Sequence, residues 1–153
     1  MTPTILDLII RLALILTPQI TGPAPFVHNT EQALIRLQGT PYAEFVNRHI
    51  NSIIMVDRRT GVDPTLGIMW ATEEYATDSP WYACALVHEA QHVEQQLTNQ
   101  ANLGGISEYN ANKVQLACLH SIDAPQGDIE WLEQIQANIV NGTTHYWDTD
   151  HDY

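Results

Sequence analysis

Apolar residues recur along this chain in blocks of changing period. From Thr4 to Leu16 nearly every position is apolar, behind a Thr2-Pro3 start and ahead of Thr17-Pro18, and the block predicts one short helix. Thr17 to His28 carries three prolines and a glycine and predicts an irregular connector. Asn29, with Gln32 three residues on, predicts a short helix ended near Gly39, and Thr40-Pro41 opens another to about His49. Ser52 to Asp57 and Leu66 to Thr72 are short apolar runs bounded by turn residues. They predict two strands of a small antiparallel sheet, joined through Arg58 to Pro64. Ser79 followed by Pro80 is a strong helix start, and no Gly or Pro interrupts the run from Trp81 to Gln100. Ser107 predicts the cap of a helix from Glu108 to about Ser121, and Ala124-Pro125 opens a last one that Gly142 stops.

The expected architecture is therefore α+β, mainly helical, in a single domain over residues 1–153: an apolar helix and connector over 1–28, and an acidic aromatic tail over 142–153. For the first helix, three readings compete. A signal peptide should open with Lys or Arg, whereas the early charge here is Asp7 and Arg11 interrupts the apolar run. A membrane helix needs about 20 apolar residues. Asp7 and Arg11, one turn apart, can pair on a single exposed stripe, so the expectation is a helix buried against the domain or in a homo-oligomer contact. With no membrane span expected, the location follows as cytoplasmic, with secretion as the alternative.

Charge narrows the partners. Eighteen acidic residues against six Lys and Arg give a net charge of −12, and five of the six cations precede residue 60. Lys113 is the one basic residue after that point, so this part of the chain disfavours nucleic acid and anionic membranes and favours metal ions or cationic substrates. Solubility alone is the competing explanation.

The chemistry concentrates between Ala83 and Gln96. His88, Glu89 and His92 form H-E-x-x-H, and on a helix the two imidazoles share one face and reach one metal ion. Glu89 projects beside that pair, where a carboxylate can touch a metal-bound water without being a ligand. On the following helix Glu108, Ala111, Asn112 and Gln115 fall on one face, which makes Glu108 a candidate third ligand, and small Ala111 permits close approach of the two backbones.

These residues resemble the zincin metallopeptidases, and within them the gluzincins, whose pattern is H-E-x-x-H followed on a later helix by E-x-x-A-[DN]. In this chain the second motif reads Glu108-Tyr109-Asn110-Ala111-Asn112. The spacing between the motifs resembles the small, minimal members. Metzincins need a glycine and a histidine where this chain has Gln95 and Thr98. The resemblance implies a zincin-like fold, a small antiparallel sheet packed on an active-site helix with a second metal-ligand helix. It implies Zn2+ held by His88, His92 and Glu108, Glu89 as general base in peptide hydrolysis, and Asn112 orienting a ligand histidine. It also places an extended peptide or protein substrate along an edge strand. Glu73, Glu74 and Asp78, at the end of the last strand, then predict either a preference for basic residues in the substrate or a solvated edge that discourages aggregation.

The oxyanion-stabilising group is open among Tyr109, His145, Tyr146 and His120. His28 and His49 have no ligand partner at helical spacing and are expected to be surface or capping residues. Asp148, Asp150 and Asp152 alternate as in a calcium loop but lack its glycine and distant Glu. Cys84 precedes His88 by one turn on the same face, so it is either a fourth ligand closing the site, a buried thiol, or bonded to Cys118. A closed site would make the protein a non-catalytic zinc-stabilised binding module, the alternative to a peptidase.

Overall fold

A computed structural model describes residues 17–100 and 105–141. The expected helix over residues 4–16 and the tail with His145 and Tyr146 lie outside the described residues. Along the rest run β1 (Gln19–Thr21), α1 (Ala24–Arg36), α2 (Pro41–His49), β2 (Ser52–Met55), β3 (Gly61–Asp63), β4 (Ile68–Ala71), α3 (Pro80–Leu97), α4 (Gly105–Ser121) and α5 (Gln126–Val140). The architecture is α+β and mainly helical, with one four-stranded sheet.

The sheet is mixed, which corrects the antiparallel expectation. Its order is β1-β2-β4-β3; β1 and β2 run parallel, as do β2 and β4, and β3 is antiparallel to β4. The reason lies in the connector between the two expected strands, where Gly61–Asp63 is itself a strand that reverses the chain once more before β4. Asp63 builds the turn: its Oδ1 accepts from the backbone N–H of Thr65 and Leu66 at 2.9 and 3.0 Å. Gly67 closes it at φ +63°, and a Cβ there would lie 2.4 Å from the His49 carbonyl oxygen, so only glycine fits. The segment from Thr17 to His28 is likewise more regular than its prolines imply. Pro18 precedes β1, Pro23 sits at the N-cap of α1, and Pro25 falls in its first turn, where a missing N–H costs nothing. Asn29 is therefore inside α1, not its cap, and its Nδ2 donates to the Ala76 carbonyl at 2.8 Å.

Register aligns Ile20, Ile53, Met69 and Val62 in one row across the four strands. Ile53, Met69 and Val62 are fully buried in the core that α3 shares. The N-terminal half of α3 is enclosed on every side, with Tyr82, Ala83, Cys84, Leu86 and Val87 all at 0% exposure. Its start is as expected: the Ser79 hydroxyl accepts from the Tyr82 N–H at 3.2 Å, and Pro80 takes the first helical position. Thr40 and Pro41 do the same for α2. α4 begins at Gly105, two residues before the expected cap, which puts Ser107 within its first turn and frees that side chain for another role.

A disulfide between Cys84 and Cys118 joins α3 to α4. It resolves the three alternatives for Cys84 and removes it as a metal ligand. His49 is also corrected. It is buried at the end of α2, with Nδ1 2.8 Å from the Phe45 carbonyl and Nε2 2.6 Å from Glu94 Oε2, and so fastens α2 to α3. His28 is exposed on α1.

Candidate metal centre

The second half of α3 and the first turns of α4 converge on one group of side chains. His88 and His92, one turn apart on α3, bring their Nε2 atoms to 3.1 Å. Glu108 on α4 faces both, with Oε2 3.5 Å from His88 Nε2 and Oε1 3.2 Å from His92 Nε2. Among the described residues these three form the one His/Cys/Asp/Glu group whose ligand atoms all lie within 4.8 Å of one another.

The donor set and its spacing fit a small cation. Two imidazole nitrogens and a carboxylate suit a divalent ion of zinc's type. Ligands at about 2.0 Å in a tetrahedron stand about 3.3 Å apart; the two imidazole Nε2 atoms, at 3.1 Å, are close to that edge, and a different Glu108 oxygen lies within 3.5 Å of each. Among the described residues no fourth His, Cys, Asp or Glu belongs to the group.

Hydrogen bonds set the tautomer of His92. Gln95, one turn farther along α3, donates from Nε2 to the Ser107 carbonyl at 3.0 Å; that oxygen can only accept, so the orientation of the amide is determined. Gln95 Oε1 then faces His92 Nδ1 at 3.0 Å and also accepts from the Ser107 hydroxyl. In the neutral ring the proton of His92 sits on Nδ1, which leaves the Nε2 lone pair pointing into the cluster. Gln95 and Ser107 are buried, at 1% and 7% exposure, so the arrangement is shielded from water.

His88 and Asn112 lack such support. Both side chains line the same cavity, yet His88 Nδ1 and Asn112 Nδ2 are buried without hydrogen-bond partners. The orienting contact expected of Asn112 is made, for His92, by Gln95.

The charges of the cluster are strongly coupled. Burial pushes Glu108 up, but hydrogen bonds and charge from His88 and His92 outweigh it and hold the carboxyl well below its usual range. Burial pushes His92 down, and the hydrogen bond to Glu108 with the charge of Glu89 raises it overall.

No known protein family, curated protein or solved structure matches this chain. Its functional interpretation therefore rests on the site itself.

A cavity of about 190 Å³ opens over the cluster, lined by His88, Glu89, His92 and Glu108. Glu89 is thus beside the candidate ligands and outside the ligand group, as its place in the motif predicts. Tyr75, absent from the candidates read from sequence, also lines the cavity. Burial and the nearby Glu89 carboxylate push its phenol far above the ordinary range, against a weaker opposing hydrogen bond from Trp81, so it keeps its proton throughout the neutral range. Tyr109 is half-buried on α4 and His120 is exposed at the far end of that helix; neither lines this cavity. Thr60, just before β3, does. The edge strand nearest the cluster is therefore β3, because β4 is interior to the sheet. The acidic residues expected to favour basic substrates lie elsewhere: Glu73 and Glu74 are exposed outside the cavity, and Asp78 pairs with Arg36 at 2.6 Å.

Proposed function

We propose that the protein is a zinc-dependent peptidase of minimal gluzincin type, with His88, His92 and Glu108 holding the metal and Glu89 as general base. The observation that carries this reading is the convergence of three ligand groups from two helices on a cavity that also contains Glu89. Zinc bound there would supply Lewis acidity and make water a nucleophile at neutral pH.

The chain's own residues account for the rest. Glu89 accepts the proton of the attacking water and delivers it to the leaving nitrogen. Tyr75, protonated and half-buried beside Glu89, replaces Tyr109 as the proposed donor to the developing oxyanion. Gln95 and Ser107 keep the Nε2 lone pair of His92 aimed at the cluster.

A non-catalytic zinc module would need a fourth ligand to close the site. Cys84, the candidate for that place, is bonded to Cys118, which supports the open site of an enzyme. That same disulfide supports an oxidising compartment over the cytoplasm. No helix among the described residues is long and apolar enough to cross a membrane.

Metal analysis after mild dialysis tests the ligand set. One equivalent of zinc is expected in the wild type and none in the His88→Ala/His92→Ala double variant; zinc retained by the variant would refute the assignment.

A further inference from the structure

Beyond the cluster, the cavity wall changes character. Trp81 from α3 and Trp131, Leu132 and Ile135 from α5 line it, and none carries a charge. Trp81 lies seven residues before His88, so both share one face of α3 two turns apart, about 10 Å along its axis. The two indoles meet edge to face, with centroids 4.8 Å apart and planes at 67°. Trp131 nevertheless leaves 54% of its surface in solvent, while Leu132 below it is 1% exposed. Trp131 thus contributes a partly exposed aromatic side chain to a cavity wall that also holds buried Leu132.

From this wall we infer that the site selects peptides by an aromatic or branched aliphatic side chain close to the scissile bond, with Trp81 and Trp131 as the specificity-determining residues. The inference rests on the peptidase reading above. An extended peptide advances about 3.3 Å per residue, so a bond held at the cluster brings a side chain of its first two or three residues onto the wall. Size agrees with this. An apolar cavity of about 150 Å³ holds benzene; the cavity here is about 190 Å³ including the part over the cluster, so the wall has room for no more than one ring or one branched side chain.

Charge agrees as well. The carboxylates and imidazoles on the described cavity lining are His88, His92 and Glu108, which form the cluster, and Glu89 beside it. A lysine or arginine side chain entering against Leu132 and Ile135 would lose hydration with no carboxylate among the described residues of that wall to receive it. Attraction of a cation to the indole faces is the competing effect, and it is separable by experiment.

Calorimetric titration of the zinc-loaded protein with three hydroxamates provides the test: acetohydroxamate, a benzyl-bearing analogue and a guanidinium-bearing analogue. The benzyl compound should bind roughly 10- to 100-fold more tightly than acetohydroxamate. Trp131→Ala should remove most of that gain, leave acetohydroxamate affinity unchanged, and keep the thermal midpoint near that of wild type, since Trp131 is half in solvent. Equal affinities for all three, or tightest binding by the guanidinium compound, would overturn the inference while leaving the metal site standing. Failure of all three to bind, acetohydroxamate included, would reject the open metal site and this inference with it.

Discussion

Gln95 Oε1 lies 3.0 Å from Nδ1 of His92 and determines which ring nitrogen of that histidine faces the candidate metal position. The amide is held in turn by the Ser107 carbonyl from the neighbouring helix, so one buried side chain links the register of α3 and α4 to the chemistry of a ligand. Gln95→Ala should therefore weaken zinc binding by roughly 10- to 100-fold, the usual cost of losing a group that orients a ligand. Competition titration with a chromophoric chelator measures it. Unchanged affinity would show that His92 needs no such support.

The coupled titration of the cluster predicts how pH acts. His92 has a folded pKa above the ordinary imidazole value of about 6.5, so its contribution to the stability of the metal-free protein is complete below pH 6.5 and is lost as pH rises through the raised value. Glu108 is shifted below the ordinary carboxyl value of about 4.5, so its contribution is present above pH 4.5 and is lost as pH falls. The metal-free cluster therefore contributes most between those two values. Zinc competes with the proton on His92, so the rise in thermal midpoint on adding zinc should grow from about pH 5 to about pH 8. Calorimetry at several pH values would show this, and a zinc-induced shift that does not change with pH would contradict it.

Cys84 and Cys118 stand 34 residues apart in sequence and join the two ligand-bearing helices. Closing a loop of that length is worth about 3–4 kcal/mol by the chain-entropy estimate. A Cys84→Ser/Cys118→Ser variant should lose stability of about that size in denaturant unfolding, and its zinc affinity should also fall because α3 and α4 are less firmly aligned. Undiminished stability would show that helix packing alone aligns them.

Tyr75→Phe keeps the ring and removes the hydroxyl. Zinc content and fold should be preserved, while kcat should fall about 100- to 1,000-fold with little change in KM, as for loss of one oxyanion donor. A normal kcat would return that role to another group.

Much of the centre was legible in sequence because its signals are local. The Ser79-Pro80 cap, the one-turn spacing of His88 and His92, and the face carrying Glu108, Asn112 and Gln115 depend on helical periodicity alone. The parts that were not legible depend on tertiary partners. Gln95 registered only as a residue in the place of a glycine, since its partner carbonyl at Ser107 comes from another helix. His49 looked like a surface residue because Glu94 is 45 positions away. Gly61-Val62-Asp63 is too short to announce a strand, and missing it reversed the relative direction of β2 and β4. Tyr75 sits in the turn before α3, where no period marks it.

The measurement that bears most directly on the central claim is cleavage of a mixed peptide library by the zinc-loaded protein and by its Glu89→Gln variant, with zinc content determined on the same samples. The account predicts cleavage by the wild type, one equivalent of zinc in both proteins, and loss of hydrolysis in the variant, because Glu89 moves protons and does not hold the metal. Undiminished cleavage by Glu89→Gln, or no cleavage by the zinc-loaded wild type, would contradict it.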